Sequence, residues 1–152
     1  MKVQIFLLIL FLIIAHSCQL DIDIDDKRQS SKDNLIKADL EFSAFSETHG
    51  FRAALIQYAD SSAVLLRPDQ APITGILSIA EYLEEMSNQN ITVTWQPRGG
   101  MLSRSKDLGY TYGIYTIRYK DEEEQGTYAT VWRKNKNGEW KYVLDTGNEG
   151  IQ

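Results

Sequence analysis

The stretch from Asp107 to Asn148 constrains the fold more than any other part of this chain. It is rich in aromatic and β-branched residues, which suit a pleated, half-buried surface. Two polar segments, Asp121–Gly126 and Asn135–Gly138, divide it. The Asn-Gly pair of the second supplies the backbone angles of a tight hairpin turn. The pattern predicts three antiparallel strands, at Leu108–Lys120, Thr127–Arg133 and Glu139–Thr146.

Helical periodicity begins upstream, at Asn34. The first predicted helix has an apolar face and a charged face that includes Asp39, which is therefore expected to point to solvent. Pro97 and Gly99-Gly100 interrupt a later apolar run and predict a bulge. The upstream elements are a helix from Asn34 to His49-Gly50, helices at Phe51–Tyr58 and Ile76–Met86, and strands at Ala63–Arg67, Ile91–Trp95 and Met101–Ser105.

Because the helices are separated from the long strands along the chain, the fold class is α+β. We expect a curved antiparallel sheet with the N-terminal helices laid across its concave side. Such an arrangement leaves a cone-shaped cavity between the helices and the sheet.

The first 17 residues carry one lysine followed by an apolar run from Ile5 to Ala15. This is typical of a secretory signal peptide and is too short for a comfortable membrane-spanning helix. Cys18, the single cysteine of the chain, follows directly. Ser17-Cys18 resembles a bacterial lipobox, although Ala15 and His16 depart from the usual pattern. Cys18 is therefore either the lipid-bearing first residue of a membrane-anchored protein or a spare thiol of a secreted or periplasmic one.

Residues 19–33 are polar and lack aromatic side chains, so they predict a disordered tether. The expected organisation is a signal peptide at 1–17, a lipid-anchor cysteine and tether at 18–33, and one folded domain at 34–148. The net charge of -5 argues against nucleic acid as a partner. One cysteine and two histidines exclude metal sites built from cysteine or several histidines, and we expect neither a metal nor a cofactor.

Several segments together resemble the nuclear transport factor 2-like superfamily, over about Asn34 to Asn148. The resemblance is nearest to an uncharacterised bacterial branch close to the SnoaL-like and ketosteroid-isomerase-like groups. It implies a cone-shaped, cystatin-like α+β fold with one deep pocket, and in many members a homodimer formed through the sheet. It implies no particular activity, because this scaffold supports both enzymes and binding modules. The segments are Tyr58–Asp60, Ala63–Leu66, Pro72–Gly75, Asp107–Gly113, Gly126–Trp132 and Gly138–Asp145.

An isomerase-like site needs a carboxylate base and a hydrogen-bond donor in an apolar cavity. Asp60 and Asp69 fit a turn and a solvated loop, and His49 fits a helix end. Asp145 shares a strand face with Val143 and is buried if that face is interior; it then serves either as a base or as a structural hydrogen-bond acceptor. The candidate donors are Tyr58, Tyr112, Tyr128, Trp95 and Trp132.

Two functions follow from these patterns. The first is an exported, lipid-anchored domain that binds a small apolar ligand or a partner protein in the cone, with Trp95, Tyr58 and Trp132 as ligand-binding residues. The second is an isomerase or cyclase that uses Asp145 as the base and Tyr112 or Tyr128 as the donor.

Overall fold

The computed structural model describes residues 29–85 and 91–151. The predicted signal peptide, Cys18 and the first ten residues of the predicted tether lie outside the described residues. Within the described ranges, no helix combines the length and the apolarity that crossing a membrane requires.

Three helices precede or interrupt the sheet. Residues 29–49 form α1, Phe51–Tyr58 form α2 and Ile76–Glu85 form α3. Gly50, with φ of 90°, separates α1 from α2. α1 begins at residue 29, five residues before the predicted start of the folded domain at Asn34.

Six strands form one curved, unclosed sheet: β1 Ala59–Leu66, β2 Ile73–Thr74, β3 Ile91–Leu102, β4 Leu108–Tyr119, β5 Glu122–Lys134 and β6 Trp140–Glu149. Their order across the sheet is β2-β1-β6-β5-β4-β3. The α+β fold class is confirmed, with one difference in detail. β1 runs parallel to β6, so the sheet is mixed, whereas the pairs among β3, β4, β5 and β6 are antiparallel as expected. β2, which pairs antiparallel with β1, is a short strand that the sequence did not predict.

Local sequence signals predicted two features of the sheet correctly and one wrongly. The register of β3 against β4 shifts between Pro97 and Gly99, which confirms the bulge, and β3 continues through it to Leu102. The turn at Asn135–Gly138 between β5 and β6 is also confirmed, although Gly138 alone of the Asn-Gly pair has a positive φ. The acidic segment is not a hairpin tip, because the strands pair up to Tyr119 and Glu122 and the turn contains only Lys120 and Asp121.

Aromatic rings fill the space between α1 and the part of the sheet near the β5–β6 turn. Phe42 on α1 is at the centre of this core, and its ring centroid lies 4.5 Å from that of Trp95 and 5.7 Å from that of Trp132. Trp132 and Tyr142 are fully buried. At the other ends of β5 and β6, away from their turn, the space between the helices and the sheet is not filled and forms a cleft.

Candidate functional site

A cleft of about 350 Å³ opens between the three helices, the loop after β1 and the concave face of the sheet. Six aromatic side chains line it in two layers. Phe42, Trp95 and Tyr128 are buried and form what we call the aromatic floor. Phe51, Tyr82 and Tyr115 are half-buried and form the aromatic walls.

Glycines on β5 and β6 make room for the Tyr115 wall. Tyr115 pairs with Gly126 across the sheet, and a β-carbon at Gly126 would overlap the tyrosine ring. A β-carbon at Gly147 would lie 3.2 Å from Cε1 of the same ring. The ring therefore lies against bare backbone, which it can do only because both positions lack side chains.

An ion pair lies beside the aromatic floor. Nη2 of Arg67 donates to Oδ1 of Asp145 at 2.7 Å, and Oγ1 of Thr130 donates to the other carboxylate oxygen at 2.8 Å. The two ionised side chains are 16% and 13% exposed, so they are shielded but reachable from the cleft. The parallel pairing of β1 with β6 aligns Leu66 with Thr146, which brings Arg67 next to Asp145.

A second carboxylate, Asp39 of α1, lies behind the aromatic floor and is fully buried. Nε1 of Trp95 donates to its Oδ1 at 2.8 Å, and the hydroxyl of Tyr128 donates to its Oδ2 at 2.7 Å. Thr111 also hydrogen-bonds to the carboxylate and in turn accepts from Nε1 of Trp132 at 2.8 Å. Asp39 thus links α1 to three strands of the sheet.

Burial controls the protonation of this cluster. It raises the pKa of Asp39 above its usual value, and the hydrogen bonds from Tyr128, Trp95 and Thr111 oppose that rise without cancelling it. Burial likewise raises the pKa of the Tyr128 hydroxyl, and the nearby Asp39 raises it further. The Tyr128 hydroxyl therefore stays protonated and donates a hydrogen bond to Asp39. This donor points away from the cleft.

The structure brings three of the predicted site residues together. Asp145, Trp95 and Tyr128 all line the cleft. Trp132 does not, because it is fully buried among the core rings. Tyr58 stacks on Phe42 and lines a separate groove near the β5–β6 turn.

Tyr112 lies on the other side of the sheet. It is 49% exposed, and its neighbours along β4, Thr111 and Gly113, are buried. Because successive side chains of a strand point to opposite faces, Tyr112 faces away from the cleft. In the isomerase hypothesis, the base Asp145 and the donor Tyr112 therefore lie on opposite faces of the sheet.

The remaining candidates occupy structural positions. Asp60 accepts hydrogen bonds from the backbone and hydroxyl of Ser62 and from Arg133, and these bonds lower its pKa. Asp69 is exposed in the loop after β1. His49 is exposed at the end of α1, where its ring stacks on Phe45 with centroids 4.1 Å apart.

Residues 29–85 and 91–151 contain no group of three or more histidine, cysteine, aspartate or glutamate side chains placed to hold a metal ion. The polar groups of the cleft are instead one arginine, two carboxylates and a few uncharged side chains.

No protein-family model matches this sequence, and no curated protein matches it. Solved structures do resemble the chain. A nuclear transport factor 2-like protein with a cystatin-like fold from Novosphingobium aromaticivorans has a TM-score of 0.60 at 11% identity, over 88% of this chain and 86% of that one. A ketosteroid isomerase-like protein from Erwinia carotovora atroseptica has a TM-score of 0.58 at 15% identity, over 74% and 95%.

An LEH-like epoxide hydrolase from M. tuberculosis is similar at a TM-score of 0.55 and 11% identity, over 78% of this chain and 80% of that one. The chain therefore has the nuclear transport factor 2-like fold, as the resemblance in its sequence predicted. Identities this low establish a shared fold and carry no activity from one protein to another.

Proposed function

We propose that this chain binds a small, largely apolar molecule in the cleft. One observation carries the proposal: six aromatic side chains line the cleft, while the polar atoms of Trp95 and Tyr128 are turned to Asp39. The floor therefore offers ring surface and few donors. A volume of about 350 Å³ falls within the range of small-molecule sites, which supports a small ligand over a partner protein as the occupant.

The isomerase or cyclase alternative has weaker support. Both oxygens of Asp145 already accept hydrogen bonds, from Arg67 and Thr130. Tyr128 donates to Asp39, and Tyr112 faces away from the cleft. Among the residues predicted for this role, a base and a free donor therefore do not meet at one point, which proton abstraction beside a carbonyl requires. Turnover of any cleft-binding compound that Asp145→Asn abolishes, with the fold intact, would favour the enzyme.

The function also includes a location. We propose that residues 1–17 direct export and that Cys18 carries the lipid that holds the domain at a membrane, on the sequence pattern described above. The expected result is that the full-length chain sediments with membranes and that Cys18→Ser releases it in soluble form. Mass spectrometry of the mature N-terminus distinguishes an acylated cysteine from a free thiol.

The binding proposal is tested by a thermal-shift screen of sterols, polyketides and short lipids. At least one should stabilise the protein, because a ligand that binds only the folded state raises its free energy of unfolding. Tyr82→Ala removes one wall of the cleft and should weaken binding about tenfold or more, by analogy with the loss of a central aromatic contact. Tyr112→Ala, the same change on the opposite sheet face, is the matched control and should leave affinity unchanged. No stabilisation by any compound, or equal effects of the two variants, would overturn the proposal.

A further inference from the structure

We propose that the ligand is an apolar molecule that ends in a protonated amine, with its cationic end over Tyr115 between Asp145 and Glu149. This inference rests on the proposed function, because it assigns the chemical class of the molecule that occupies the same cleft.

The alternation of β6 places two carboxylates on either side of an aromatic ring. Asp145, Gly147 and Glu149 are two residues apart along the strand and all line the cleft. The ring of Tyr115 lies against Gly147, the middle member of the three. With about 3.3 Å per residue, the α-carbons of Asp145 and Glu149 are about 13 Å apart. An alkylammonium group on the ring between them would be within reach of both carboxylates.

The charges of the cleft favour a cation over an anion. Its lining contains one positive group, Arg67, and two negative ones, Asp145 and Glu149. Arg67 is neutralised by Asp145, and its Nη1 also donates to the carbonyls of Leu66 and Asp145. Glu149 forms no ion pair with another described residue. The lining therefore keeps one uncompensated negative charge, and it lies at the exposed end of β6.

The field of Glu149 reaches the Tyr115 wall. Burial raises the pKa of the Tyr115 hydroxyl, the negative charges of Glu149 and Glu124 raise it further, and the positive charge of Arg67 opposes them. Only the part of this rise that comes from Glu149 and Glu124 favours an ammonium group, because burial disfavours a charge of either sign.

Aromatic rings add an attraction that a neutral or anionic head group does not receive. The face of an aromatic ring carries partial negative charge and attracts ammonium groups within about 6 Å of its centroid. Elsewhere in the cleft, the ring centroids of Phe51 and Trp95, and of Trp95 and Tyr128, are each 6.3 Å apart, so these rings form one surface for the apolar part of the ligand. An anionic ligand would instead have to compete with Asp145 for Arg67.

Three probes with the same alkyl chain test the charge preference: n-octylamine, n-octanol and n-octanoate, titrated calorimetrically into the full chain at pH 7. We expect n-octylamine to bind about tenfold more tightly than n-octanol, and n-octanoate to bind most weakly. Glu149→Gln should weaken n-octylamine binding about three- to tenfold and leave n-octanol binding unchanged. Glu122→Gln, which removes a glutamate that does not line the cleft, should change neither.

Each outcome bears on one claim. Equal affinities for the three probes, or an equal effect of Glu149→Gln and Glu122→Gln, would overturn the amine assignment and leave the apolar cleft standing. Tightest binding of n-octanoate would also overturn it and would identify Arg67 as the anchor. If none of the three probes binds, the amine assignment fails, and the thermal-shift screen decides separately whether the proposed ligand-binding function stands.

Discussion

Asp39 and Asp145 lie on opposite sides of the aromatic floor and differ in what surrounds them. Asp39 is fully buried and has neutral donors around it, among them Trp95 and Tyr128. Asp145 faces the cleft and pairs with a cation, Arg67. A buried carboxylate with neutral donors holds elements together, whereas a paired carboxylate at a cleft keeps a charge that a ligand can reach. The comparison separates the structural acid of this domain from the one available for function.

The largest expected effect is that of Asp39→Ala. The change leaves the indole N–H of Trp95 and the hydroxyl of Tyr128 buried without their acceptor, at about 1–3 kcal/mol for each. We therefore expect the free energy of unfolding to fall by about 2–6 kcal/mol, a large share of the stability of a small domain. Urea denaturation followed by tryptophan fluorescence measures it. A loss below about 1 kcal/mol would mean that Asp39 does not hold α1 to the sheet.

Asp145→Ala should lower the free energy of unfolding less than Asp39→Ala does, and it should change ligand binding more. Removing one member of a fully buried ion pair costs about 3–5 kcal/mol, and the partial exposure of Arg67 should reduce this to about 1–3 kcal/mol. The freed guanidinium then faces the cleft, so the affinity for n-octanoate should rise while that for n-octylamine falls. Calorimetric titration of both probes checks this reversal. Asp60→Ala, which breaks an ion pair remote from the cleft, is the control and should leave both affinities unchanged.

The pH dependence of stability should carry the signature of Asp39. Burial raises the pKa of Asp39 in the folded chain above the usual 3.8. Between pH 3.8 and that raised pKa, the folded chain therefore binds more protons than the unfolded chain. The contribution of this group to stability is therefore full below pH 3.8 and is lost as the pH rises through the raised pKa. The slope cannot exceed about 1.4 kcal/mol per pH unit for one group. Asp39→Asn should remove this component.

Urea denaturation of the wild type and of Asp39→Asn from pH 3.5 upward isolates the Asp39 component by difference. The same subtraction removes Asp60 and Asp107, whose lowered pKa values act in the opposite sense. Parallel curves for the two proteins would show that Asp39 has no raised pKa.

The two aspartates also show how far the sequence predicts this site. Asp145 was predicted because strand alternation is a local pattern, and it does line the cleft. Asp39 was missed, although a signal existed. Leu35, Asp39, Phe42 and Ser46 follow the spacing of one helix face, and all four are buried. Because charged side chains are rarely buried, the sequence alone favours the charged face for a carboxylate within such an apolar stripe.

Arg67 was missed for a different reason. Its partner lies 78 residues away, and the contact depends on the parallel pairing of β1 with β6. The hairpins β3–β4, β4–β5 and β5–β6 join neighbouring strands, so turn residues and strand patterns predict them. No local pattern encodes a pairing between the first strand and the last. The fold class and the Asp145 side of the cleft were therefore within reach of the sequence, whereas the ion pair was not.

The smallest expected effects concern the serines that follow Asp39 on the inner face of α1. Ser43 accepts from the backbone N–H of Trp95 at 2.8 Å, and Ser46 donates to the carbonyl of Val93 at 2.6 Å. β3 is an edge strand, so these two backbone groups have no neighbouring strand to pair with. The serines extend the link from Asp39 along α1 and occupy positions where another strand could otherwise add to the sheet.

Ser43→Ala and Ser46→Ala should each lower the free energy of unfolding by about 1 kcal/mol, since each leaves one buried backbone group unpaired. Thr48→Ala is the matched control, because its hydroxyl is exposed and bonds only within α1 and to His49. Alanine favours helix more than threonine does, so this change should be neutral or slightly stabilising. If the serine variants behave like Thr48→Ala, the link between α1 and β3 depends on Asp39 alone. A loss as large as that of Asp39→Ala would instead make backbone capping of the edge strand the main contact between α1 and the sheet.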